Sequence, residues 1–129
     1  MSPVRAATAL GLVVPAMAAL VLATEAQALS LPGQLNAVDV RTRVVGHSVV
    51  NADRSTAWWY AADGTFGGEA GHAVAGRFTV RDDGQLCWKE SDGTTGCFVF
   101  IADGRQLLLR RVDPGHEADL GPVTLGKGK

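Results

Sequence analysis

The sequence predicts a mainly β domain: a single antiparallel meander of six to seven strands forming a small barrel or half-barrel, with a short N-terminal helix. Three observations carry this. Short β-prone runs recur from residue 47 onward, Asp-Gly pairs punctuate them at Asp63-Gly64, Asp83-Gly84, Asp92-Gly93 and Asp103-Gly104, and two cysteines, Cys87 and Cys97, bracket one of those pairs. Asp-Gly between apolar runs is the strongest short-range hairpin signal, because a tight hairpin turn needs positive φ, which Gly accepts freely and Asp tolerates. A curled sheet buries its own apolar face and hides its edges, but strand patterning does not distinguish a closed barrel from an open sheet.

The first element lies before the domain. Arg5 is the one early charge, an apolar run extends from Ala6 to Ala23 with Gly11 and Pro15 inside it, and Ala26-Gln27-Ala28 follows. That is the pattern of a secretory signal peptide over residues 1–28 with a small-x-small cleavage site. A retained anchor is the competing reading, since the run is barely long enough to span a bilayer; the breakers inside it and the Ala-x-Ala after it favour removal. No cysteine stands at the site, so a lipid anchor is not indicated, and no membrane span is expected after cleavage.

The mature chain, 29–129, then has 101 residues, the size of one domain with a single core. Removing residues 1–28 takes away Arg5 and Glu25 together, so the formal net charge stays at −1. Such a balance gives no electrostatic footing for nucleic acid or an anionic membrane.

Leu29-Ser30-Leu31-Pro32-Gly33 reads as an extended or turning start. Leu35, Val38 and Val45, with Arg41-Thr42 between them, suggest a short helix ended by Gly46. The valines are an argument for a strand instead, since β-branched side chains lose rotamer freedom in a helix. Strands are expected at 47–50, 56–61, 73–80, 85–90, 96–101 and 106–112, with a last one at 122–125. The end of the chain, from His116 to Lys129, mixes charge with glycine and is expected to be a flexible tail.

Two cysteines in an exported chain read as a disulfide, because such bonds persist outside the cytosol. A metal-thiolate reading lacks further ligands at suitable spacing. Closing so short a loop stabilises the fold by somewhat under about 3 kcal/mol in the chain-entropy model. With Cys87 opposite Cys97, Leu86 faces Phe98 and Gln85 faces Val99. One side of the sheet then collects Leu86, Trp88, Phe98 and Phe100; the other carries Cys87, Cys97, Val99 and Ile101 beside Gln85 and Lys89. Both sides are partly apolar, and the aromatic side is assigned inward.

Ala57-Trp58-Trp59-Tyr60 is the most distinctive tract. Alternation sends Trp58 and Tyr60 to one face and Trp59 to the other. Core packing with cross-strand partners accounts for most such tracts. The functional alternative is that these aromatics, with Phe66 and Trp88, line a barrel mouth and stack on a ring, a sugar or an acyl chain. The glycine-rich segment 66–72 reads as a hairpin loop, and it lacks the Gly-Lys-Ser/Thr ending of a phosphate-binding loop. His47, His72 and His116, with Glu69 and Glu117 near two of them, show no metal-ligand spacing, so no metal or other cofactor is expected. No serine stands in a nucleophile-elbow context, both cysteines are expected to be oxidised, and the aspartates at Asp82-Asp83 and Asp113 sit beside turns. No catalytic residue is assigned.

Several segments together resemble a known group. These are Leu29-Ser30 after cleavage, a short helix into Val45-Gly46-His47-Ser48-Val49, Trp59-Tyr60, Asp63-Gly64-Thr65, Gly76-Arg77-Phe78, Gly84-Gln85-Leu86-Cys87 and Gly96-Cys97. They resemble small exported proteins of Gram-negative bacteria, of unknown function, in which a Gly-x-Trp-like strand precedes a Cys…Cys hairpin; this chain has Phe78 where the group often shows Trp. The resemblance covers nearly all of the mature chain and implies a lipocalin-like or calycin-like small barrel, and by analogy of fold a binding role. It carries over no site residue.

The leading expectation is therefore a periplasmic or secreted binding module that holds a small apolar or amphipathic ligand, or an envelope component, near Trp58, Trp59, Tyr60, Phe66 and Trp88. The second is a protein-interaction module, such as an inhibitor of an envelope-directed hydrolase, that inserts the 67–72 loop into a cleft. An enzyme using His72 or His116 beside a carboxylate comes third. Intact-mass measurement on protein recovered from the periplasm or medium is expected to give residues 29–129 less two hydrogens; a membrane-retained species keeping Met1 would overturn the cleavage reading.

Overall fold

The computed structural model describes residues 30–128. The expected signal peptide falls on residues that lie outside the described ones. The described part contains one short helix, α1 (Ala37–Arg43), and eight strands: β1 (His47–Asn51), β2 (Ala57–Tyr60), β3 (Thr65–Glu69), β4 (Ala73–Val80), β5 (Leu86–Glu90), β6 (Thr95–Asp103), β7 (Gln106–Arg111) and β8 (Ala118–Lys127). All neighbours are antiparallel, and β8 returns to β1 to close a barrel.

The predicted architecture is present, with two differences in the count of strands and in the chain end. Phe66-Gly67-Gly68, expected as loop, belongs to β3, which pairs with β2 and β4 along its whole length. Two glycines in a strand are tolerated here because neighbouring groups, the Trp59 ring at Gly67 and the Ala57 carbonyl with Trp58 at Gly68, occupy the space their side chains would take. A Cβ on Gly67 would lie 2.4 Å from the Trp59 ring, and one on Gly68 would lie 2.8 Å from the Trp58 ring. Within the expected flexible tail, the short strand expected at 122–125 is present and is longer, running over Ala118–Lys127 as β8. Val123 and Leu125 of that strand face the core, and its backbone supplies the closing ladder from His47↔Lys127 to Asn51↔Val123.

Every Asp-Gly pair sits in a hairpin turn. In three of them the Asp carboxylate accepts the backbone N–H two residues on: Asp63 from Thr65 at 2.9 Å, Asp83 from Gln85 at 3.0 Å and Asp92 from Thr94 at 2.9 Å. Only the glycines take positive φ, at 91°, 90° and 94°. The Asp therefore contributes a local hydrogen bond rather than an unusual backbone, as in three-residue hairpins that end on a left-handed residue. The fourth differs: Asp103 pairs with Gln106, so Gly104 is the first of two central residues.

The helix forms despite its valines because its ends are specified. Asn36 caps it by accepting from Asp39 N–H at 2.8 Å, and Gly46 follows at φ 89°. Val40 and Val44, one turn apart, are fully buried, and with Leu35 they join the barrel core; Val38, offered by the sequence as an apolar position, is exposed. Arg41 donates to the Val80 carbonyl at 3.1 Å, tying α1 to the end of β4. The incoming chain pairs with β6 beyond the start of β5: Leu35 N–H donates to the Phe100 carbonyl at 2.8 Å and Ala102 N–H donates to the Gly33 carbonyl at 2.8 Å. One end of the barrel is thus sealed.

The hairpin register is as predicted, with Cys87↔Cys97 and Leu86↔Phe98 opposed and the two cysteines disulfide-bonded. Leu86, Phe98 and Phe100 are buried in the core with Trp88 packed against it, so the aromatic side faces inward. Trp88 lies across Gly96, its cross-strand partner, where a Cβ would come within 2.1 Å of the ring. Gly96→Ala is expected to cost about 1–3 kcal/mol in urea unfolding by forcing the indole out of its seat. Gly126→Ala, at a position with open space around it, is expected to stay within about 0.5 kcal/mol of wild type.

Candidate functional site

Strand directions put α1 and the β2–β3, β4–β5 and β6–β7 turns at the sealed end, and the other four connections at the open end. Alternation then decides what fills the barrel. Phe78, Leu86, Phe100, Leu107 and Val123 pack the lower interior together with Val40 and Val44. Above them is a cup of about 310 Å³, near the lower limit for small-molecule sites. Eight strands give an interior that side chains can fill completely or that can hold one small ligand; this barrel is filled below and hollow above.

Tyr60 and Phe66, both buried, form the floor of the cup, and Trp58, Val74, Trp88 and Phe98 form its walls. Tyr60 meets Phe78 edge to face at 5.2 Å, while Trp88 stacks on Phe98 at 4.3 Å with 23° between planes. Burial pushes the Tyr60 phenol up from its ordinary pKa, so it stays protonated at any physiological pH. A β-bulge between β7 and β8 at Leu109/Arg110 puts Leu120, 41% exposed, at the rim.

Four of the five aromatics singled out from the sequence, Trp58, Tyr60, Phe66 and Trp88, therefore meet in one place. Trp59 does not. It faces outward over Gly67 and borders a shallow hollow with Gly46, Ala61 and Gly128. Of the histidines, His72 reaches the rim from the β3–β4 turn, His47 begins β1 and His116 is exposed in the β7–β8 connection. Among the described residues no group of three or more His, Cys, Asp or Glu could hold a metal ion.

Two charged residues of the cup were missed. Glu90 and Arg111 each end a strand whose preceding inward positions are apolar, Leu86 and Trp88 in β5 and Leu107 and Leu109 in β7. Extending those rows by two residues would have found them. Arg111 is already committed. It donates to both carboxylate oxygens of Asp113, at 2.8 and 3.1 Å, and to the Thr95 carbonyl at 3.3 Å, and its guanidinium lies 5.2 Å from the Trp88 ring centroid. Asp113 also accepts Cys97 N–H at 3.1 Å, tying the β7–β8 connection to the disulfide hairpin. Glu90 has no hydrogen-bond or ion-pair partner for its carboxylate among the described residues.

A larger hollow of about 420 Å³ lies outside the wall, around the disulfide between Arg77, Thr79, Lys89 and Thr95. Those are outward positions on a sheet face, whereas the cup is enclosed by the barrel itself. No helix among the described residues is long and apolar enough to cross a membrane. No protein-family model, curated protein or solved structure matches the chain.

The hydrogen bonds from Arg111, aided by that from Cys97 N–H, hold the Asp113 carboxyl down to about 2. A depressed folded-state pKa contributes stability that is fully present above the ordinary carboxylate value and is lost as pH falls through the folded value. Asp113→Asn is expected to lower stability at pH 7 by about 1–3 kcal/mol. The gap between variant and wild type should close from about pH 4 to about pH 2. Urea unfolding at several pH values reads both effects, and a gap that stays constant to pH 2 would remove the ion pair from the account.

Proposed function

We propose that this chain is an exported binding module, working in the periplasm or outside the cell, whose barrel mouth holds a small apolar or amphipathic molecule or an envelope component. One observation carries the reading: a cup of about 310 Å³ is sealed below by α1 and a packed core, walled by inward-facing aromatics, and open above. Ligand sites combine an apolar enclosure with a few polar groups, and here the polar side chains of the lining are Glu90, Arg111 and His72. The Cys87–Cys97 disulfide is consistent with an oxidising compartment. The resemblance to small exported lipocalin-like proteins supports the same reading by analogy of fold alone.

Hydrolase inhibition through an inserted loop draws less support. Two of the three glycines that suggested a long loop, Gly67 and Gly68, are inside β3, and the β3–β4 connection is left with 70–72, little reach for entering an enzyme cleft.

A neutral apolar dye, N-phenyl-1-naphthylamine, tests the cup directly. Titration is expected to change both tryptophan and dye fluorescence with one-site saturation. Trp58→Ala should weaken binding about tenfold, the scale of one lost aromatic contact, whereas Trp59→Ala, on the outer face, should leave it within about twofold. Absence of any response to the dye, to lipids, to haem and to glycans would remove the basis of the proposal, as would equal effects of the two variants.

A further inference from the structure

The cup carries a charge that nothing in the fold uses. Glu90 follows Leu86 and Trp88 on the inward row of β5, is partly buried, and borders the aromatic cavity with its carboxylate unpaired among the described residues. Arg111 does not supply the missing partner. Its Nε and one terminal nitrogen chelate Asp113, and the same terminal nitrogen also donates to Thr95, so guanidinium and carboxylate cancel within the rim. An anion drawn to Arg111 would have to displace a bidentate carboxylate or share its one remaining nitrogen. Arg110, beside it, is paired outside with Asp119 at 2.6 Å, and Lys89 is exposed on the outer face.

The surroundings of the mouth have the same sign. With the Arg111–Asp113 pair cancelled, the connections at the open end carry Asp53, Asp92 and Glu117 against Arg54, together with His72 and His116, and Glu69 ends the strand that leads into one of them. A concave site lined by one sign of charge with low-dielectric walls concentrates counter-ions of the other sign. The wall is also suited to cations, which are attracted to the faces of indole rings. Trp88 is covered on one side by Phe98 and approached by the Arg111 guanidinium, which leaves Trp58, tilted 57° to Phe98 at 6.0 Å, as the indole of the wall that no cation already approaches.

We propose that the cup selects a cationic amphipath, an alkyl- or arylammonium whose positive head sits between Glu90 and Trp58 and whose apolar part fills the space above Tyr60 and Phe66. This rests on the reading of the cup as a binding site and goes beyond it by naming the charge of the ligand. The volume sets the size: a cavity of about 150 Å³ accepts a benzene-sized guest, so about 310 Å³ suits a head with a short chain or single ring and excludes long acyl chains from full burial.

Three probes that share a chain and differ in head, octyltrimethylammonium, octyl sulfate and octyl glucoside, separate the outcomes when titrated below their micelle concentrations at low salt. The ammonium is expected to bind about tenfold more tightly than the sulfate. Half-molar sodium chloride should reduce that ratio. Glu90→Gln should bring it to within about threefold while leaving glucoside binding and the circular dichroism spectrum unchanged. Binding of glucoside or sulfate at least as tight as that of the ammonium would overturn the charge assignment and leave the cup a binding site. An undiminished preference in Glu90→Gln would also overturn it. If none of the three binds, the proposed function fails and this inference with it.

Discussion

The β1–β8 ladder is the constraint on which the rest of the structure depends. Five residue pairs, from His47↔Lys127 to Asn51↔Val123, turn a meander of hairpins into a closed surface with an inside and an outside. Ser48 reinforces it by donating its hydroxyl to the Lys127 carbonyl. Without that seam both end strands would show unpaired backbone, and Val49, Val123 and Leu125 would have no opposing wall to bury against. Closure also decides the volume available, and so forces the question of what fills it.

The filling is uneven because the two ends are built differently. At the sealed end α1 is pinned by its Asn36 cap, by Arg41 on the Val80 carbonyl and by the strand-like contact of 33–35 with β6, which drives Leu35, Val40 and Val44 into the barrel. At the open end the inward rows finish in Glu90 and Arg111 rather than in further apolar side chains. Glycines opposite large indoles make room for them on the wall. Trp88 lies over Gly96 and Trp58 stands beside Gly68, and both line the cup. The same trick on the outside, Trp59 over Gly67, explains why β3 tolerates two consecutive glycines in a closed sheet.

Electrostatics divides the rim into a spent part and an unspent part. Arg111 and Asp113 satisfy each other while fastening β7 to the disulfide hairpin through Cys97 and Thr95, so that pair belongs to the architecture. Glu90 fastens nothing. Its carboxylate is left free for the cationic head proposed above.

Much of this was written into the linear sequence, since hairpins depend on local chemistry. Asp63, Asp83 and Asp92 make their turn bonds to residues two positions away, and Asn36 and Gly46 bound the helix by contacts within a few residues, so each could be read without knowing the fold. The Cys87–Cys97 register, and with it the shared face of Leu86, Trp88, Phe98 and Phe100, follows from the same short range. What required the tertiary structure was every feature set by a distant partner. β3 was hidden because its glycines make sense only beside Trp58 and Trp59, and β8 was legible only at 122–125, its full length and its closing role depending on β1, some seventy residues earlier in the chain. Alternation sets Trp58 and Trp59 on opposite faces of β2, and barrel closure decided that the face with Trp58 is the inside of the cup. Glu90 and Arg111 look alike as strand-end charges, but only the fold brought Asp113 to Arg111 and left Glu90 unpaired, because charge pairing depends on distances of a few ångströms between segments that the sequence does not order in space.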